Sequence, residues 1–266
     1  MFYPHAISHV NVVLRGPSQN PIVRGMNLAT SHLGYLYRFL IKGSSLDTLI
    51  INLPGRFMDE AQVWEQLEVL KPNGYVESLC LKLTPQQARR VQDYFQSYEE
   101  FQLHQIYGAL ASDPLKGEGA GCSAFAMSVL EVLGLLSEEL RNAWGRELRI
   151  PVELMSSQTK RARVGFLGFI LGQNPRWSDL NPCYVLKFWD PEKMYDWCKK
   201  EKVHPQMSGL TVDPKTQTLL WDVRSRPVPE LNLREHFLKI APQIQKELRL
   251  RGELWSAEKL RTLLTE

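Results

Sequence analysis

Residues 117–134 read GEGAGCSAFAMSVLEVLG: a glycine-rich loop, a cysteine, a strongly apolar segment and a closing glycine. The apolar run from about Ser123 to Leu133 predicts a buried helix, and Gly134 stands where a helix commonly ends. The loop thus delivers Cys122 to a helix N-terminus. There the positive end of the macrodipole and unpaired backbone N–H groups favour thiolate over thiol. Gly121 lets the backbone approach a substrate closely, Ser123 and Ala124 keep the neighbourhood small, and the Cys122 N–H is a natural oxyanion donor in acyl transfer. Position alone also suits a buried core cysteine.

A nucleophilic cysteine needs a base, so the next question is where the six histidines fall. Residues 7–14 alternate, which predicts a strand carrying His9 and Asn11 on one face. A histidine so placed could take the thiol proton and return it to a leaving group. His32 lies on a predicted helix over 31–41, His104 shortly before the cysteine loop, His204 and His236 in the second half, and His5 ahead of the strand. His9 stands out only in combination with Cys122.

Further strands are predicted over 48–53, closed by Pro54-Gly55, and over 76–83; residues 101–107 read as extended. Residues 59–70 form an amphipathic helix that ends before the turn Pro72-Asn73-Gly74. Thr84, Pro85 and Gln87 are an N-cap, a first-turn proline and the third member of a capping box. Behind them Ala88, Val91, Phe95 and Tyr98 mark a buried stripe. Ser137 caps another helix as far as Trp144, and 145–151 reads as a seam. The second half carries strand-like runs at 164–171, 183–188, 209–212 and 219–223, a helix after Asp190-Pro191, and helices over 233–250 and 256–264.

With 266 residues, 44% hydrophobic and 23% charged, the chain has the composition of a globular protein able to bury a core without staples. Its 32 Lys and Arg against 29 Asp and Glu give only +3, too little to argue for nucleic acid as a partner. The longest apolar run, 164–172, is about half of what a membrane-spanning helix needs. The start, MFYPHAISHV, lacks a basic stretch followed by an apolar one, so a secretory signal is expected to be either absent or already removed. Four cysteines (Cys80, Cys122, Cys183, Cys198) are too irregularly spaced for a CxxC pair.

Several of these pieces fit together. The early Ser8-His9-Val10-Asn11-Val12-Val13-Leu14, the strand-to-capped-helix run from Ser78 to Gln87, the aromatic Tyr107 and the Gly-Cys-Ser-x-Phe of Gly121 to Phe125 resemble a circularly permuted papain-like fold. This is the NlpC-like superfamily in its His-before-Cys order, and within it the bacterial periplasmic domains of the Lnb N-terminal type are similar. The likeness covers about residues 5–136. It implies an α+β protein with a permuted papain-like core of antiparallel sheet and packed helices over 1–148, and leaves about the last 130 residues unexplained; their own strand-like runs and helices read as a mixed α/β C-terminal extension over 149–266. It implies Cys122 as nucleophile, His9 as base, Gly121 and Ser123 as oxyanion or substrate loop, and a periplasmic or secreted setting. Relatives commonly have Asn where this chain has Gly121. For the third, orienting residue Asn11, Asn27 and His32 all stand open.

The expected function is therefore a thiol-dependent hydrolase or acyl transferase acting on an amide or ester, with no cofactor. Cell-wall peptides, other isopeptides and lipid acyl groups all fit that mechanism. The alternative is a non-catalytic binding or scaffold protein that retains the fold. Other chemistries fare worse. His5 and His9 would stand about 13 Å apart on a strand, too far to share a metal. The glycine loop lacks Gly-Lys-Ser/Thr, and Glu118 would repel a phosphate. Lys160, Arg161 and Arg163 read as a solvated basic turn, and Trp177, Trp189, Trp197 and Trp221 as core aromatics or a ligand groove.

Overall fold

In the computed structural model the described residues are 9–16, 20–29, 52–151 and 183–254. In chain order they form β1 (Val12–Leu14), β2 (Ile22–Arg24), β3 (Met26–Leu28), β4 (Leu53–Phe57), α1 (Glu60–Leu70), β5 (Leu79–Lys82), α2 (Pro85–Glu100), β6 (Ile106–Tyr107) and α3 (Cys122–Val132). There follow α4 (Glu138–Trp144), β7 (Gly145–Pro151), β8 (Cys183–Trp189), α5 (Pro191–Val203), β9 (Leu210–Val212), β10 (Leu219–Asp222) and α6 (Leu233–Leu254). The protein is thus a mixed α and β fold. Among the described residues the strands fall into four small sheets: β1-β2, β3-β4-β6 and β7-β8 are antiparallel, while β5-β10-β9 pairs β10 parallel to β5. The helix over 31–41, most of the strand over 48–53, the strand over 164–171 and the helix over 256–264 lie outside the described residues.

Local chemistry starts the helices where the sequence signals them. Thr84 Oγ1 accepts from the Gln87 N–H at 3.2 Å, and the Gln87 side chain accepts from the Thr84 N–H at 2.8 Å, a complete capping box. Asp59, Ser137 and Asp190 cap α1, α4 and α5 with their side chains. Buried Gln87 also donates to the carbonyls of Val223 and Arg226, so the cap of α2 holds the segment after β10. Arg90 makes a similar link, donating to the Val132 carbonyl at the end of α3 and to that of Leu231.

Three sequence expectations are corrected. Of the strand read over 7–14, the described residues are strand at Val12–Leu14; His9, Val10 and Asn11 precede it, and the Val10 backbone N–H is directed to the Cys122 sulfur. Pro54-Gly55 does not close a strand but lies inside β4. There β4 passes from β6, opposite Leu53 and Pro54, to β3, opposite Gly55 to Phe57, so the missing proline N–H breaks no continuous ladder. Residues 101–107 are extended only at Ile106–Tyr107; Gln102 is left-handed at φ 61° and a 3-10 turn covers Leu103–Gln105. Residues 145–151, read in the sequence as a seam, form the strand β7.

One apolar cluster gathers Leu14 and Met26, the inner faces of α2 and α3, Trp144, Trp197, Trp221, and Phe237 and Ile244 of α6. Trp197 and Trp221 are core aromatics here, with Trp197 edge-on to Trp144 at 5.0 Å. Phe125 is the hub: its ring lies 5.1 Å from Tyr98, 5.4 Å from Phe57, 5.8 Å from Phe95 and 6.0 Å from Tyr94. Replacing Phe125 by Ala is expected to cost about 3–5 kcal/mol in urea unfolding. A loss below about 1 kcal/mol would show that this hub does not anchor α3.

Candidate active site

The approach to Cys122 is a loop that folds on itself. Asp113 Oδ1 accepts the Leu115 N–H, Glu118 Oε2 accepts the Asp113 N–H at 2.9 Å, and the Glu118 N–H reaches the Asp113 carbonyl. Glu118, read in the sequence only as an obstacle to phosphate, is therefore a loop closure. Gly119 has φ 79°, and a β-carbon there would meet Ile106 at 2.5 Å, so the backbone passes where no side chain fits. The Ala120 N–H then joins the Ile106 carbonyl, Gly121 becomes the N-cap residue, and Cys122 is the first residue of α3.

Cys122 is only 7% exposed. Burial is the largest influence on its thiol and raises the pKa above the ordinary range. Backbone hydrogen bonds from Val10, Ser123 and Cys122 itself, together with the Tyr107 hydroxyl, oppose it by favouring the thiolate. Sequence reasoning missed Val10 altogether and noted Tyr107 only as an aromatic; the signal for both is spatial, since each acts on the sulfur from another part of the chain. Ser123 donates its hydroxyl to the Trp189 carbonyl at 2.8 Å, tying the start of α3 to the end of β8. A β-carbon on Gly121 would meet the Tyr107 hydroxyl at 3.7 Å, an ordinary contact.

His9 is exposed and adjoins Val10, whose N–H faces the sulfur. Its ring approaches Gly25, a residue that no motif marks. A β-carbon built on Gly25 would lie 3.3 Å from His9 Nε2 and only 2.0 Å from Asn11 Oδ1. Gly25 is thus the floor on which His9 and Asn11 meet. Asn11 Oδ1 is buried there with no hydrogen-bond partner among the described residues. Asn27, on β3, spends its side-chain oxygen on the Leu28 N–H at 2.8 Å.

The remaining candidates disperse. His104 stacks on Phe57 with ring centroids 5.6 Å apart, His204 is the exposed C-cap of α5, and His236 reaches the Leu115 carbonyl. His5, His32, Lys160, Arg161, Arg163 and Trp177 lie outside the described residues. All four cysteines are free: Cys80 is exposed on β5, Cys183 is intermediate, and buried Cys198 has its thiol pushed up to about 12, chiefly by desolvation and then by Glu77. Among the described residues no three or more His, Cys, Asp or Glu gather as a metal site, and no helix is long and apolar enough to cross a membrane. No family, curated protein or solved structure to which the chain was compared matches it.

The contact at Gly25 generates a test. Gly25→Ala must displace Asn11, and is expected to lower stability by about 1–3 kcal/mol. Asn11→Ala in the same background should recover much of that loss, measured as a double-mutant cycle in urea. Simple additivity of the two substitutions would contradict the contact.

Proposed function

We propose that the protein is a thiol-dependent hydrolase or acyl transferase with a permuted papain-like core, in which Cys122 is the nucleophile and His9 the base. The observation that carries this reading is the hydrogen bond from the Val10 backbone to the Cys122 sulfur. It supports the pairing because it brings the residue next to His9 against a cysteine far away in sequence, at the start of a buried helix.

The chemistry follows from these groups. His9 takes the Cys122 proton, and the sulfur attacks the carbonyl carbon of an amide or ester. Backbone N–H groups at the start of α3 hold the resulting oxyanion. As the tetrahedral adduct collapses, the bond to the amine or alcohol breaks, and the His9 proton goes to that leaving group. A thioester on Cys122 remains. Water or another acceptor, deprotonated by His9, attacks its carbonyl carbon; the carbon–sulfur bond breaks, the acyl group leaves on the acceptor, and the proton on His9 returns to the sulfur to restore the thiol. Burial makes the resting thiol protonated, so proton removal belongs to the step of attack and not to the resting state. The resemblance drawn above extends this reading to a periplasmic or secreted bacterial setting and to cell-wall peptides or lipid acyl groups as substrates.

The same burial favours a second reading, a binding or scaffold protein that retains the fold: a thiol 7% exposed and shifted upward is also what an inert core cysteine looks like. Turnover separates the two. Over a panel of activated esters and aminoacyl amides, Cys122→Ser and His9→Ala are each expected to lower the rate at least about 10³-fold. The double variant should be scarcely worse than either, because nucleophile and base act as one unit. Cys80→Ser, on the exposed face of β5, is the control and should retain the activity. Activity undiminished in Cys122→Ser, or lost equally in Cys80→Ser, would decide for the scaffold.

A further inference from the structure

Helix α6 lies in the second half of the chain, beyond the stretch that resembles a papain-like core, yet one face of it is given over to the loop that precedes Cys122. His236 Nε2 lies 2.7 Å from the Leu115 carbonyl oxygen. That oxygen is an acceptor only, so the nitrogen facing it carries the proton. One and two turns on, Ile240 and Ile244 press against Gly117; a β-carbon there would come within 2.9 Å of Ile244. At the next turn Glu247 accepts from Asn52 Nδ2 at 3.0 Å, while Asn52 Oδ1 accepts from the Ala109 N–H at 2.8 Å and the Ser112 hydroxyl at 3.3 Å. Gln243 steadies the other oxygen of Glu247 at 2.9 Å.

Positions 236, 240, 244 and 247 are spaced four, four and three apart, the spacing of a single helical face. Between them they hold the loop at 109, 112, 115 and 117, immediately before it turns into α3. We infer that this face of α6 is the positioning element for Cys122, with His236 and Glu247 as positioning residues that keep the sulfur beneath Val10 and Tyr107. The inference deepens the thiol-nucleophile reading and rests on it for its purpose. It also gives the second half of the chain a role in the site.

The test reads thiol access and needs no substrate. Iodoacetamide labelling of Cys122 and Cys198 is followed by peptide mass spectrometry at pH 8.5 in the full chain and its variants, alongside urea unfolding. Each lost hydrogen bond shifts the local opening equilibrium, so His236→Ala and Glu247→Ala should each speed Cys122 labelling about five- to tenfold. Cys198, on α5, should keep its rate. His236→Gln and Glu247→Gln preserve a donor and an acceptor and should stay within about twofold of the parent. Should an alanine variant fail to fold, Gln243→Ala, which removes only the amide beside Glu247, should give a smaller rise of about two- to threefold confined to Cys122. Unchanged Cys122 labelling in the alanine variants, or a parallel rise at Cys198, overturns the inference. Absence of turnover in the parent protein would instead refute the nucleophile reading and leave these labelling rates as they are.

Discussion

Helix α3 is buried almost all round: nine of its eleven residues are inside, and only Ser123 and Glu131 are not. A helix of that kind must have other elements on every side, and the chain wraps it with α2, β3, β8 and the loop held by α6. Burial also removes water from the first turn, whose backbone N–H groups have no partner within the helix. The Cys122 sulfur meets two of them, and Val10 and Tyr107 complete its surroundings. At the other polar point, buried Ser128 donates to the Phe125 carbonyl and shares a 2.6 Å hydrogen bond with Tyr94. The environment of the thiol is thus a consequence of packing the helix that carries it.

The two opposing influences on Cys122 have a consequence for pH. Desolvation wins, so the folded protein holds the proton over a range in which an unfolded chain has lost it. Stability from this group is full below the ordinary thiol pKa, about 8.5, and declines as pH rises above it. Cys198, held up to about 12, adds a second contribution of the same sign. A buried thiol therefore favours folding at neutral pH, while nucleophilic work on the proposed reading requires that its proton be taken at the moment of attack.

What could be read in the sequence was local chemistry. The capping box of Thr84 and Gln87, the cap at Ser137, and the delivery of Cys122 by a glycine loop each involve residues a few positions apart, and the backbone obeys them. Long-range relations were not readable. Nothing near Leu219 announces that β10 lies parallel to β5, and nothing near Gly25 announces that its missing side chain makes room for Asn11. Among the described residues the strand read through His9 is formed only at Val12–Leu14, and the Val10 N–H goes to a sulfur that only tertiary folding supplies. His236 and Glu247 carry no motif at all; their spacing acquires meaning only once α6 is laid against the cysteine loop.

The central claim is that His9 and Cys122 exchange a proton as one unit. The most direct measurement is a pH titration of the His9 ring signals by NMR in the parent protein and in Cys122→Ser. Coupled groups titrate together, so the parent should show, besides the imidazole step, a second inflection where the thiol ionises, and Cys122→Ser should lose it. His9 curves that are identical in the two proteins, each with a single step, would contradict the pairing.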